Sequence, residues 1–144
     1  MKFYVGATFT RFREVRAIID AIELAGHDCA EDWTRSQDFD DDGELKASAG
    51  DGYQQADHWP EAANKERDAI REVARHFGFC LFLGQQPSLG WPVELGMAIA
   101  YDVPSILLVA PFKTTVFVAL PNVEVFVDVE GAIRSIAERN ELAT

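Results

Sequence analysis

Glu94 stands in the segment GWPVELGMA at 90–98, and it is the residue of this chain best placed to do chemistry. A carboxylate can stabilise or trap an electron-poor carbon. Its helix reads as starting at Pro92, which puts Glu94 in the first turn. There the helix dipole favours the ionised form, so a depressed pKa is expected. An ordinary first-turn glutamate that only stabilises its helix fits the position equally well. Tyr4 lies near the carboxyl end of an apolar segment at 2–6 and could hydrogen-bond the Glu94 carboxylate; a core tyrosine is the competing reading.

A loop rich in donors follows, with Gly6, Thr8, Thr10, Arg11 and Arg13 before a helix. Backbone N–H groups and arginines at a helix N-terminus suit a phosphate or a sugar hydroxyl. The loop is neither a dinucleotide fingerprint nor a P-loop, and Arg13 with Arg16 could equally form a solvated helix face. Ser88, in QPSLG at 86–90, offers a hydroxyl to a phosphate or a ribose, or is a plain turn serine. Asp68, in ERD at 66–68, sits in a helix, where charges usually face solvent.

Other chemistries find little footing. The acidic run at 38–44 lacks the spacing of a calcium loop. His27, His58 and His76 have no ligand spacing, and Cys29 and Cys80 sit in apolar contexts as packed thiols. Neither a metal site nor a cofactor is expected. A net charge of −11 argues against a nucleic-acid surface, though not against a small anionic ligand. No apolar run is long enough for a membrane span, and the start MKFYVGATF reads as a first strand rather than a leader. Cytoplasmic residence is the expectation.

The scaffold must bring the loops at 6–13 and 84–93 together. The 144 residues fit one domain, with no internal repeat. Strands are expected at 2–6, 27–33, 79–83, 104–110 and 123–127, and helices at 13–25, 60–76, 92–101 and 129–139. Val15, Ile18, Ile19 and Ile22 set the apolar face of the first helix, and Ile70, Val73 and Phe77 that of the second. Gly26 stops the first helix. Residues 34–58 read as a long loop and 116–121 as ambiguous. Apolar strands alternating with helices predict an α/β, flavodoxin-like three-layer sandwich with a five-stranded parallel sheet in order 2-1-3-4-5. Ligands bind such sheets beyond the carboxyl ends of strands 1 and 3, where both loops meet.

Taken together, three stretches resemble the nucleoside 2-deoxyribosyltransferase superfamily: FYVG at 3–6 with its arginine-containing loop and the helix ending AGH at 25–27, QPSLGWPVELGMA at 86–98, and VPSILLV at 103–109. The likeness spans most of the chain outside 34–58. It implies that Glu94 is a nucleophile forming a covalent (deoxy)ribosyl intermediate, that Tyr4 orients it, and that Asp68, at longer spacing than usual, assists base or sugar. It also implies that Gly6, Thr8, Arg11, Arg13, Ser88, Gly90 and Trp91 line the substrate site. Ser88 stands where the 5′-monophosphate hydrolases of the superfamily have serine and the transferases an acid. The first loop is poorer in glycine and serine than in those hydrolases. Trp91 replaces a smaller residue and could narrow the pocket or stack on a base. The resemblance further implies a homodimer or higher homo-oligomer, for which 116–120 offers an apolar contact.

The expected activity is cleavage or transfer of the N-glycosidic bond of (deoxy)nucleosides or their 5′-monophosphates. The alternatives are a non-catalytic nucleotide-binding module on the same fold, a flavodoxin-type electron carrier, and an NAD-cleaving enzyme. Base, sugar, phosphate requirement and acceptor are not legible in the residues.

Overall fold

The computed structural model of the chain describes residues 1–35, 59–84, 90–110 and 119–143. The elements follow in the order β1 (Lys2–Gly6), α1 (Phe12–Leu24), β2 (Asp28–Cys29), α2 (Trp59–Arg75), β3 (Phe79–Leu83), α3 (Gly90–Ala100), β4 (Ser105–Val109), β5 (Val123–Phe126) and α4 (Val129–Ala143). Single 3-10 turns stand at Phe9–Arg11 and Trp33–Arg35. The five strands form one all-parallel sheet in the order β2-β1-β3-β4-β5. The fold is flavodoxin-like α/β, as the alternation of apolar strands and helices required. Residues 36–58 of the loop expected at 34–58, Ser88 and most of the 116–120 segment lie outside the described residues. No helix among those residues is long and apolar enough to cross a membrane.

The central strands are apolar along all of β3 and, in β4, from Ile106 onward, because helices cover both faces. Right-handed crossovers that reverse direction at β1 set α1 opposite α2 and α3. α2 packs on β1, β3 and α3, while α4 closes over β4 and β5. Alternation along the strands then assigns sides. Tyr4 pairs with Cys80 and Gly6 with Phe82 in the register, so all four face α2 and α3. Phe3 faces away and stacks on its register partner Phe79, with ring centroids 5.5 Å apart.

β2 is far shorter than the strand expected at 27–33. Asp32 accounts for this: its carboxylate accepts from the Thr34 backbone N–H at 3.0 Å and from the Thr34 hydroxyl, which draws the chain into a 3-10 turn instead of a ladder. The Val5 carbonyl lies beyond the two residues of β1 that pair with β2. The indole of Trp33 donates to it at 2.7 Å. Gly26, at φ 99°, ends α1 as expected. Phe77 departs from the expectation that it packs in the face of α2. The helix ends at Arg75, and Phe77 sits in the left-handed region at φ 54°, 77% exposed. Its N–H bonds Ala74 O at 3.2 Å and that of Gly78 bonds Val73 O at 2.9 Å, a helix stop made without glycine at the left-handed position.

Gly78 is needed for another reason. A Cβ there would strike the Lys2 carbonyl oxygen and lie 2.9 Å from the Lys2 carbonyl carbon, at the entry to β1. Gly78→Ala is expected to lower stability by about 1–3 kcal/mol, the usual cost of forcing atoms into packed structure. Urea unfolding at fixed pH measures this, and an unchanged midpoint would show that the two strands yield freely.

Candidate active site

The site forms where β1 and β3 end and α3 begins. Glu94 projects from α3 toward the face of the sheet that carries Tyr4, Gly6, Cys80 and Phe82. The Tyr4 hydroxyl, fully buried, donates to Glu94 Oε1 at 3.0 Å across 90 residues of chain. The other carboxylate oxygen rests on Gly6. A Cβ on Gly6 would collide with Glu94 Oε2 and stand 2.6 Å from the Phe82 ring. Gly6 is therefore glycine because a carboxylate occupies the space a side chain would fill.

α3 begins at Gly90, two residues before Pro92, and has no acidic residue in its first turn. Glu94 thus falls in the second turn, where the dipole has weakened. The expectation of a depressed pKa is overturned. Burial pushes the Glu94 carboxyl well above its ordinary value, Glu66 adds to the rise by charge and by a hydrogen bond, and the Tyr4 hydrogen bond pulls part of the way back. Tyr4 is itself pushed well up, by burial first and then by Glu94, so it stays a neutral donor.

Glu66 is the second carboxyl of the site, and it is the residue that sequence reasoning missed. Asp68, the acid expected from the resemblance, does not reach Glu94. Its side chain is 63% exposed, 3.6 Å from Arg67 Nε and 3.9 Å from an Arg71 nitrogen. The reason is helical periodicity. Two residues rotate a helix by about 200°, so Asp68 points outward where Glu66 points in. Glu66 shares its stripe with the buried Ile70 and Val73, four and seven residues on. A half-buried acid on that apolar stripe is the signal that could have found it.

The remaining predicted residues surround this centre unevenly. Trp91 is 8% exposed, and its indole tip lies 3.1 Å from where a Cβ on Gly84 would stand. It is a packed wall at the end of β3. Gly90 is exposed at the start of α3. Thr8 accepts the Arg11 N–H at its carbonyl, 2.9 Å away, and its buried hydroxyl has no partner among the described residues. Arg11 is drawn to Glu14, with Nε 2.9 Å from the carboxylate, and Arg13 lies over the Phe12 ring at 5.3 Å. Neither arginine is among the groups whose charge acts on Glu94. Phe9, in the same loop, stacks on Trp33 with centroids 6.1 Å apart, and 38% of it is exposed. Among the described residues, no group of three or more His, Cys, Asp or Glu side chains could hold a metal ion.

The chain matches no protein-family model and no curated protein. The geometry of the site therefore carries the functional argument.

The sign of the Glu94 shift yields a stability prediction. A carboxyl whose folded pKa is raised binds its proton more tightly when folded, so it costs stability as pH rises from the ordinary value of 4.5 through the raised one. Glu94→Gln keeps an acceptor for Tyr4 and removes that cost. The variant is expected to melt a few degrees above the parent at pH 8, with the gain shrinking toward pH 5. Melting curves at both pH values check this, and a variant less stable at pH 8 would refute it.

Proposed function

We propose that the chain cleaves or transfers the N-glycosidic bond of (deoxy)nucleosides or their 5′-monophosphates, with Glu94 as nucleophile. The observation that carries this reading is the Tyr4–Glu94 hydrogen bond at the switch point of the sheet, with the carboxyl seated on Gly6. It agrees with the resemblance of the same residues to the nucleoside 2-deoxyribosyltransferase superfamily.

Breaking an N-glycosidic bond builds positive charge at C1′. A carboxylate held on one side of that carbon stabilises the charge and can close on it covalently. Water or a second base then resolves the intermediate, with two displacements as in retaining glycosidases. Tyr4 fixes one oxygen of Glu94 and so sets the direction of the other. Partial burial raises the basicity of the carboxylate and strengthens its attraction to a cationic centre. The exposed edge of Phe9 and the Thr8 hydroxyl, which has no partner among the described residues, follow the end of β1 and suit a planar base and a sugar or phosphate oxygen.

A panel of nucleosides and 5′-monophosphates, incubated with and without an acceptor base and followed by chromatography, tests the proposal. Free base from monophosphates alone is the hydrolase outcome, and exchange that needs an acceptor is the transferase outcome. Glu94→Ala is expected to lose at least about a hundredfold in rate, on the scale of losing a nucleophile. Tyr4→Phe is expected to lose about tenfold to a hundredfold, the worth of one hydrogen bond to a charged group. Full activity in Glu94→Ala would sink the role, and no turnover across the panel would leave a nucleotide-binding module.

A further inference from the structure

Two neighbouring strands finish in glycine where α3 meets the sheet, and a side chain of α3 takes the space left free at each. At the end of β1 it is Glu94, whose Oε2 lies where a Cβ on Gly6 would go. Just past β3 it is Trp91. Cη2 of its indole stands 3.1 Å from where a Cβ on Gly84 would lie, with Leu108 Cδ1 at 3.0 Å and the Val109 carbonyl oxygen at 3.2 Å. The Gly84 N–H donates to that Val109 oxygen at 2.7 Å, so Gly84 continues the sheet. Gly26 is the glycine at positive φ among the described residues, so Gly84 lacks a side chain for reasons of space and not of backbone.

Trp91 and Glu94 are three residues apart and neighbours on one side of α3. The buried residues of this helix are Trp91, Leu95 and Ala98. Leu95 and Ala98 fix the helix beyond Glu94. Before Glu94 only Trp91 is buried, because Gly90, Pro92 and Val93 are all exposed. That end is where restraint is needed. Its first N–H groups have no acceptor within the helix. Burial also works against a charged Glu94 and favours its escape toward water.

We propose that Trp91 is the positioning residue of Glu94: its indole, set against Gly84, clamps the first turn of α3 onto the end of β3 and so keeps the Glu94 carboxyl on Gly6 and within reach of Tyr4. The proposal rests on the reading of Glu94 as nucleophile. Trp91 acts here through Glu94 and does not touch the substrate. At 8% exposed, the ring offers little surface to a base, and its large apolar area is buried in the core. The match is one of size. Gly84 provides the clearance that the indole fills, so a larger residue at 84 calls for a smaller one at 91.

Trp91→Phe, Gly84→Ala and the two together test this, with Ile136→Val on α4 as the measure of plain destabilisation. Base release from nucleosides and 5′-monophosphates reads the position of Glu94. Trp91→Phe leaves a gap, and Gly84→Ala drives the indole outward. Each is expected to lower kcat about tenfold to a hundredfold with KM changed less than about twofold, the scale of displacing a catalytic group by about an ångström. The paired variant should lose less than either alone, because the added methyl fills what the shorter ring vacates. Ile136→Val should melt earlier with kcat unchanged. Losses that multiply in the paired variant, or single variants that behave like Ile136→Val, would overturn the proposal.

Melting curves read Glu94 without a substrate. The ionisable side chains coupled to it, Tyr4 on β1, Cys80 on β3 and Glu66 on α2, are unchanged in all of these variants. A raised carboxyl costs stability as pH climbs above 4.5, so Glu94→Gln stabilises the parent more at pH 8 than at pH 5. In the Gly84→Ala background Glu94 is displaced toward water, and that extra gain should shrink to about half or less. In the paired background it should return. An equal gain in every background would mean that Glu94 keeps its seat without the clamp, and the proposal would fail. If the parent releases no base at all, the nucleophile reading falls, and the melting comparison still decides whether Trp91 seats Glu94.

Discussion

The contact between the Glu94 carboxylate and the backbone of Gly6 governs the arrangement of the site. For one oxygen of Glu94 to rest on Gly6 while the other meets the Tyr4 hydroxyl, α3 must approach the end of β1 closely. That approach depends on strand register. Tyr4 and Gly6 are two residues apart and share a face, and Cys80 and Phe82 lie beside them on β3. A slip of one residue would turn Phe3 and Val5 toward α3 and leave Glu94 against apolar side chains.

The same contact makes the site costly. Burying a carboxyl beside a second carboxyl is unfavourable, and among the described residues the Tyr4 hydrogen bond offsets part of that for Glu94. A fold that carries such a pair needs its remaining structure to be well satisfied. The core is built of β3 and residues Ile106 to Val109 of β4, all fully buried, stacked Phe3 and Phe79, and the buried faces of α1 and α2. At the end of β1, the Trp33 indole takes the Val5 carbonyl, so the strand is held on the β2 side where the ladder has stopped. At the start of β1, Gly78 lets β3 come close to Lys2. Both ends of the strand that carries Tyr4 and Gly6 are thereby pinned, and pinning is what a catalytic geometry requires.

The two carboxyls have different surroundings, which is what sets the protonation of paired acids apart. One lies under a phenol that donates to it. The other comes from a different helix, α2. The donor-rich loop at 6–13 turned out differently from its sequence reading. Arg11 pairs with Glu14 and Arg13 lies on Phe12, so both reach residues of α1. What that segment places against Glu94 is Gly6.

The order of strands, the parallel sheet and the helix faces were legible because apolar periodicity is a local property. FCLFL at 79–83 fits a strand covered on both sides, and Val15, Ile18, Ile19 and Ile22 recur at the spacing of one helix face. Glu94 and Tyr4 were legible because topology places a helix start and a strand end at one crevice. Three things were decided only in the tertiary structure. The pKa of Glu94 rose rather than fell, because burial and a second carboxyl outweigh a helix dipole already one turn away. β2 stopped after two residues, and the Asp32 carboxylate holds the Thr34 backbone N–H in a 3-10 turn further on. Glu66 replaced Asp68, because the two differ by about 200° around α2, and only packing against the sheet shows which direction is inward.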